Sequence, residues 1–160
     1  MEVMHKTCAG MDVHKDSIVV CVRSMKGSKV DREVRTFGTK TLELIELGDW
    51  LEERGCEIAV LEATGVYWKP VWHMLTGRVE LVLANAHEVR NVPGRKTDMN
   101  DAMWLADLIA HGLVRASFVP PEPIADLRDL TRTRKQLTRE VVEHTQRIQK
   151  ALETGHIKLA

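Results

Sequence analysis

Four acidic residues sit where their type and spacing suggest chemistry. Asp98 and Asp101 lie three apart in Lys96-Thr97-Asp98-Met99-Asn100-Asp101-Ala102, so on a helix they share one face of the first turn. Acids at a helix start are also favourable against the helix dipole, and the pair alone would mean only that. Asp12 falls at the end of an apolar run, Ala9-Gly10-Met11-Asp12-Val13, and Glu62 closes another, Ile58-Ala59-Val60-Leu61-Glu62. An unpaired carboxylate in a strand is costly or loses its charge, so Asp12 is either a turn cap or a ligand. Gly10 leaves the neighbouring backbone bare, which suits close approach by a ligand or another segment. Oxygen-only donors of this kind suit hard divalent cations: magnesium takes one or two carboxylates with substrate phosphate and water. Two such ions about 4 Å apart can stabilise the attacking and leaving oxygens of an in-line phosphoryl displacement. Protons compete for the same oxygens, so metal affinity should fall as pH drops. Nucleic acid, which brings its own phosphates, should strengthen it.

The elements that must carry these residues follow from periodicity. Residues 7–13 and 17–23 read as two strands joined by a short polar turn, and 29–37 as a third, antiparallel strand. Leu42 to Arg54 is an amphipathic helix with Thr41 as its cap and Gly55 at its end. Residues 57–62 form a continuous apolar run expected to be a central parallel strand. Glu62 then stands at the carboxyl end of a buried strand, where open α/β sheets usually place their chemistry. A tight turn at Ala63-Thr64-Gly65 leads into a helix from Val66 to about Leu75, with Pro70 tolerable in its first turn. A strand over 79–84 follows, then a loop from Ala86 to Thr97 punctuated by Pro93-Gly94. The next helix is capped by Thr97 and stopped by Gly112. The order is the coarse outline of an α/β, ribonuclease H-like mixed sheet flanked by helices, which periodicity alone does not distinguish from other α/β arrangements. One acid ends the first strand, one ends the fourth, and two open a later helix, so all four can converge on one point at the top of such a sheet.

The proline-rich joint Val119-Pro120-Pro121-Glu122-Pro123 marks the domain boundary, giving a catalytic domain over 1–119 and a helical segment over 120–160. Residues 124–153 carry no Gly or Pro and place Leu127, Leu130, Leu137, Val141 and Ile148 along one seam. Arg134 and His144 interrupt that seam. The pattern is that of a two-stranded coiled coil, so a dimer is expected in preference to a helix folded back on the sheet. Arg128, Arg132 and Arg139 line the outer face, where a solvated surface is the default and nucleic-acid contact the sharper expectation. Lys15, Arg90, Arg95 and Lys96 stand close in sequence to the acids and are the expected phosphate contacts.

Composition narrows the class. A formal net charge of +0 excludes a generally basic DNA-coating protein, though not an enzyme whose acidic centre offsets a basic rim. The three cysteines, Cys8, Cys21 and Cys56, form no CxxC, which points to reduced structural thiols and a cytoplasmic setting. The seven histidines lack zinc-binding spacing. No apolar run is long enough to span a membrane, and no membrane partner is expected.

Gly10-Met11-Asp12-Val13-His14-Lys15, Leu61-Glu62-Ala63-Thr64-Gly65 and Arg95-Lys96-Thr97-Asp98-Met99-Asn100-Asp101-Ala102 together resemble the amino-terminal domain of the insertion sequence 110 family of DEDD transposases. The resemblance covers nearly the whole chain. It implies a RuvC-like domain whose tetrad is Asp12, Glu62, Asp98 and Asp101, holding two Mg2+ ions with Mn2+ as a substitute. It also implies a recombinase guided by a structured non-coding RNA that pairs with target and donor DNA. Family members carry a further domain with a nucleophilic serine. Ser17, Ser24, Ser28 and Ser117 match no such motif, so that domain is expected to be absent here and any strand exchange incomplete. Two alternatives remain at this stage: a RuvC-like junction endonuclease using water, and a non-catalytic dimeric nucleic-acid scaffold. A sugar-kinase-like ATPase is disfavoured by the lack of a glycine-rich phosphate loop.

Overall fold

Apolar, β-branched stretches pair into a hairpin of β1 (Thr7–Val13) and β2 (Ser17–Lys26), and β3 (Lys29–Gly38) extends it antiparallel. On the other side of β1, β4 (Ile58–Glu62) and β5 (Glu80–Ala84) are added in parallel. The five strands run in the order β3-β2-β1-β4-β5, the mixed sheet expected of a ribonuclease H-like α/β fold. The computed structural model describes residues 3–27, 29–62, 65–93 and 100–158, with only the backbone of Arg90. The chain divides into two compact units, Met1–Phe118 and Val119–Ala160.

Strand alternation sorts the first unit into two layers. Helices α1 (Thr41–Glu53) and α2 (Trp68–Leu75) bury Leu44, Leu47, Trp50, Leu51, Val71 and Leu75. The face α1 covers is marked by Trp50, whose ring lies 5.4 Å from that of Phe37 and beneath the Arg35 guanidinium. The register pairs Phe37 with Ile18 and Arg35 with Val20, so this is the face of Ile18 and Val20. The opposite face is covered by α4 (Asp101–Ala110). There Cys8, Ile58, Val60 and Ala84 pack with Val89, Trp104, Leu105 and Leu108. Nearby, Cys21 packs with Ala102 and Ala106.

Three local expectations are corrected. The stretch after Ala86, expected as loop, begins with a helix, α3 (Ala86–Asn91). Asn85 caps it by accepting from His87 N at 2.9 Å, and Val89 is buried in the core. Six residues are too few to show a helical period. The cap of α4 is Asn100, whose side chain accepts from Met103 N at 2.7 Å. Thr97, expected in that role, lies outside the described residues, and the helix opens at Asp101. The cap of α1 is Lys40, one residue before Thr41, and its backbone N–H donates to Glu43 at 3.1 Å.

The second unit is built on α5 (Glu122–Thr154), 33 residues and about 50 Å long. Pro123 sits in its first turn, where no hydrogen-bond donor is missed. None of its residues is buried. No described helix is long and apolar enough to cross a membrane.

Candidate metal centre

The parallel register of β1 and β4 pairs Cys8 with Ile58, Gly10 with Val60 and Met11 with Leu61. One further step along both strands brings Asp12 alongside Glu62. By alternation both share the face that carries Cys8, Gly10, Ile58 and Val60. Each is half-buried. Two strand-end carboxylates thus lie side by side on adjacent strands, with little freedom in the backbone beneath them.

Helix α4 crosses that same face with its amino terminus toward the acids. The Cys8 thiol donates to Ala106 O at 3.4 Å. Gly10 lies under the next turn: a Cβ there would come within 2.2 Å of Ala102 O and 2.4 Å of Ala106 N. Moving along β1 from Cys8 toward Asp12 therefore means moving back along α4 from Ala106 toward Asp101. Asp101 belongs to the helical stripe of Leu105 and Leu108, which pack in one cluster with Ile58 and Val60 of β4. The helix start consequently faces the strand that ends in Glu62. Asp101 is half-buried, and Asn100 caps the turn it opens.

Asp12 is engaged by a neighbour. An ionised carboxylate can only accept, so His14 Nε2 donates to Asp12 Oδ2, at 3.1 Å. His14 is well exposed. Lys15 is exposed in the same β1–β2 turn, where its carbonyl accepts from Thr39 Oγ1 at 3.0 Å. Asp98, Arg95 and Lys96 lie outside the described residues, as does the side chain of Arg90. Among the described residues, no three of His, Cys, Asp and Glu are gathered closely enough to hold a metal ion. Asp12, Glu62 and Asp101 are brought to one end of one sheet face. Arg128, Arg132 and Arg139 are exposed on α5 in the second unit. Leu127, Leu130, Leu137, Val141 and Ile148 are likewise 55–69% exposed.

The thiols beneath α4 are not part of a ligand set. Burial pushes Cys8 up to about 12 and Cys21 to about 11, with Arg23 and Arg32 respectively opposing the shift. Both stay protonated and serve as packing. What sequence patterning missed is a buried ion pair next to them, Arg23 with Asp107 at 3.0 Å. A charge inside the β-branched strand 17–26, in phase with Val19 and Cys21, was the available signal.

Comparison with other proteins adds context. No curated protein matches the chain in sequence. Among solved structures, RuvC of Thermus thermophilus is similar with a TM-score of 0.40 and 16% identity, over 75% of this chain and 87% of that one. A Fowlpox virus resolvase, solved with Holliday junction DNA, has a TM-score of 0.39 and 7% identity. That match covers 57% of this chain and 65% of the resolvase, just under two thirds of its length. Residues 9–157 match the DEDD transposases of the insertion sequence 110 type, a family described as transposase.

Proposed function

Because this chain belongs to the DEDD transposases of the insertion sequence 110 type, we propose that it is the metal-binding domain of a DNA recombinase. It acts in phosphodiester cleavage and strand exchange, guided by a structured RNA. The observation that carries this is the β1–β4 register, which sets Asp12 beside Glu62 on the face crossed by the start of α4.

The donors suit a hard divalent cation, being carboxylate oxygens throughout. Asp12, Glu62, Asp98 and Asp101 would hold Mg2+, or Mn2+ in its place. When bound, such ions stabilise the charge that develops on a phosphate in transfer. The protein's own contribution is placement. Asp12 and Glu62 are set by paired strands, and Asp101 by a helix seated closely on glycine. His14 donates to Asp12 and would give up that carboxylate oxygen to a bound cation. Lys15, Arg90, Arg95 and Lys96 contact backbone phosphates near the acids and set the register of the DNA without reading its sequence. The α5 seam of Leu127, Leu130, Leu137, Val141 and Ile148 pairs two copies. Arg128, Arg132 and Arg139 give that helix a cationic stripe for RNA or DNA.

Asp12→Asn, Glu62→Gln and Asp101→Asn test the assignment, each joined to the family's serine-bearing domain and assayed for DNA cleavage and strand exchange with binding measured in parallel. Loss on the order of 100-fold or more in cleavage, with DNA binding retained, is the expected result. Cleavage at the native rate in these variants would overturn it. RNA recovered with the purified protein and required for strand exchange supports guidance. Hydrolysis of branched DNA without RNA would select a junction endonuclease. Nucleic-acid binding that survives alanine replacement of all four carboxylates, together with no Mn2+ affinity in the native chain, would select a scaffold.

A further inference from the structure

The sheet face under α4 holds one charged side chain that is almost wholly buried. Arg23 on β2 is 3% exposed. It stands opposite Cys8 on one side and opposite Arg32 on the other. Like charges facing each other across a strand pair repel, and a guanidinium out of water needs a carboxylate. Asp107 of α4 meets both needs. Arg23 Nε donates to its Oδ1 at 3.0 Å, and Arg32 Nη2 donates to Oδ1 and Oδ2, each at 2.9 Å. Arg23 Nη1 is buried and finds no partner among the described residues. An unsatisfied donor of this kind calls for a reason beyond core stability, since an apolar pair would fill the space more cheaply.

The reason lies in how α4 is seated. Where it crosses β1 and β2 the closest contacts are small, Gly10, Cys21, Ala102 and Ala106, with Val19 and Met103 packed at their margin. Trp104, Leu105 and Leu108 hold the helix on its β4 side. The small residues on the β2 side allow close approach and leave the fine setting of the roll to a contact on that flank. A two-armed carboxylate–guanidinium contact is directional and supplies that setting. Asp107 and Asp101 lie about 120° apart around the helix, on opposite flanks. Asp107 is tied to β2 and β3, while the stripe of Asp101 rests toward β4. Any roll that loosens Asp107 must swing Asp101.

We propose that Arg23 and Asp107 are positioning residues for the carboxylate centre. Their ion pair, completed by Arg32, sets the roll of α4 and so the place of Asp101 relative to Asp12 and Glu62. The role rests on the metal-site reading above.

The test is Mn2+ binding by the full chain, followed through the electron paramagnetic signal of free Mn2+, beside thermal unfolding. Removing one partner alone would strand a buried charge. The main variant is therefore Arg23→Met combined with Asp107→Leu, an apolar replacement of similar volume. Its expected behaviour is a native or higher melting temperature with Mn2+ affinity weakened roughly 10- to 100-fold. Asp107→Asn, isosteric and still able to accept from Arg23, should lose less affinity than the double variant. It carries the test in the same direction should the double variant not fold. Native affinity in the folded variants would overturn the proposal. Asp12→Asn separates the two levels: loss of Mn2+ binding there, with native affinity in the roll variants, removes only the positioning role. Native Mn2+ affinity in Asp12→Asn removes the metal site and the positioning role together.

Discussion

Gly10 governs how near the helix that bears Asp101 can come to the strand that bears Asp12. A methyl group at this position would meet the backbone of Ala102 and Ala106 at 2.2 and 2.4 Å, and backbone atoms cannot swing aside as a side chain can. Gly10→Ala should therefore lift α4 and destabilise the first unit by about 1–3 kcal/mol, read as a lowered urea midpoint. Gly27 is a useful contrast. Nothing lies within 4 Å of its missing Cβ, but its φ is +65°. Gly27→Ala should cost roughly 1 kcal/mol through backbone strain alone and leave metal binding untouched. The cysteines supply a pH test at the same scale. Burial raises Cys8, Cys21 and Cys56 from an ordinary 9.0 to about 12, 11 and 12. A raised value means the folded chain holds its thiol protons where the unfolded chain has lost them. The stability this contributes is fully present below pH 9 and declines as pH rises toward 12. Melting temperatures measured from pH 8 to 11 should fall, with a shallower fall in Cys8→Ala. At pH 8 the native thiols should resist alkylation until the chain unfolds.

At the scale of elements, α4 is defined by its cap as much as by its apolar face. Asn100 satisfies the Met103 N–H and starts the helix at Asp101. Asn100→Ala should cost about 1 kcal/mol in urea unfolding, whereas Asn100→Asp should cost little because a carboxylate accepts the same bond. The apolar pattern of residues 102–109 made the helix readable from the sequence, and Gly112 marked its end. Its first residue was not readable, because Thr97 and Asn100 are both good caps and local pattern does not rank them. α3 was missed for a related reason. Its six residues are held by one cap and by Val89 entering the core, contacts that a pattern search over longer windows cannot register.

At the scale of the whole molecule, the notable feature is a 33-residue helix with no buried residue and an apolar seam open to solvent. A helix with a stripe of this kind gains stability when the stripe is covered. If the seam pairs two copies, Leu130→Lys with Leu137→Lys should convert the protein to a monomer in sedimentation analysis. The same variant should leave Mn2+ binding and the unfolding of the first unit unchanged. Replacing Arg128, Arg132 and Arg139 with alanine addresses the other face. If each contacts a phosphate of duplex DNA, the slope of log affinity against log salt should become shallower by about 0.9 per residue.

What the amino-acid order settles by itself is local. Alternation and apolar runs identify the five strands, and the same runs end in Asp12 and Glu62, so the acids are already at strand ends before any folding is considered. The motif around Asp101 and the small residues Gly10, Ala102 and Ala106 are equally plain. What only tertiary structure decides is partnership across distance. Arg23 finds Asp107 from 84 residues away, and Arg32 reaches it from 75. Those contacts depend on the strand register and on the roll of one helix over the sheet. Neither is encoded in a short window of sequence, because each is a property of two surfaces meeting.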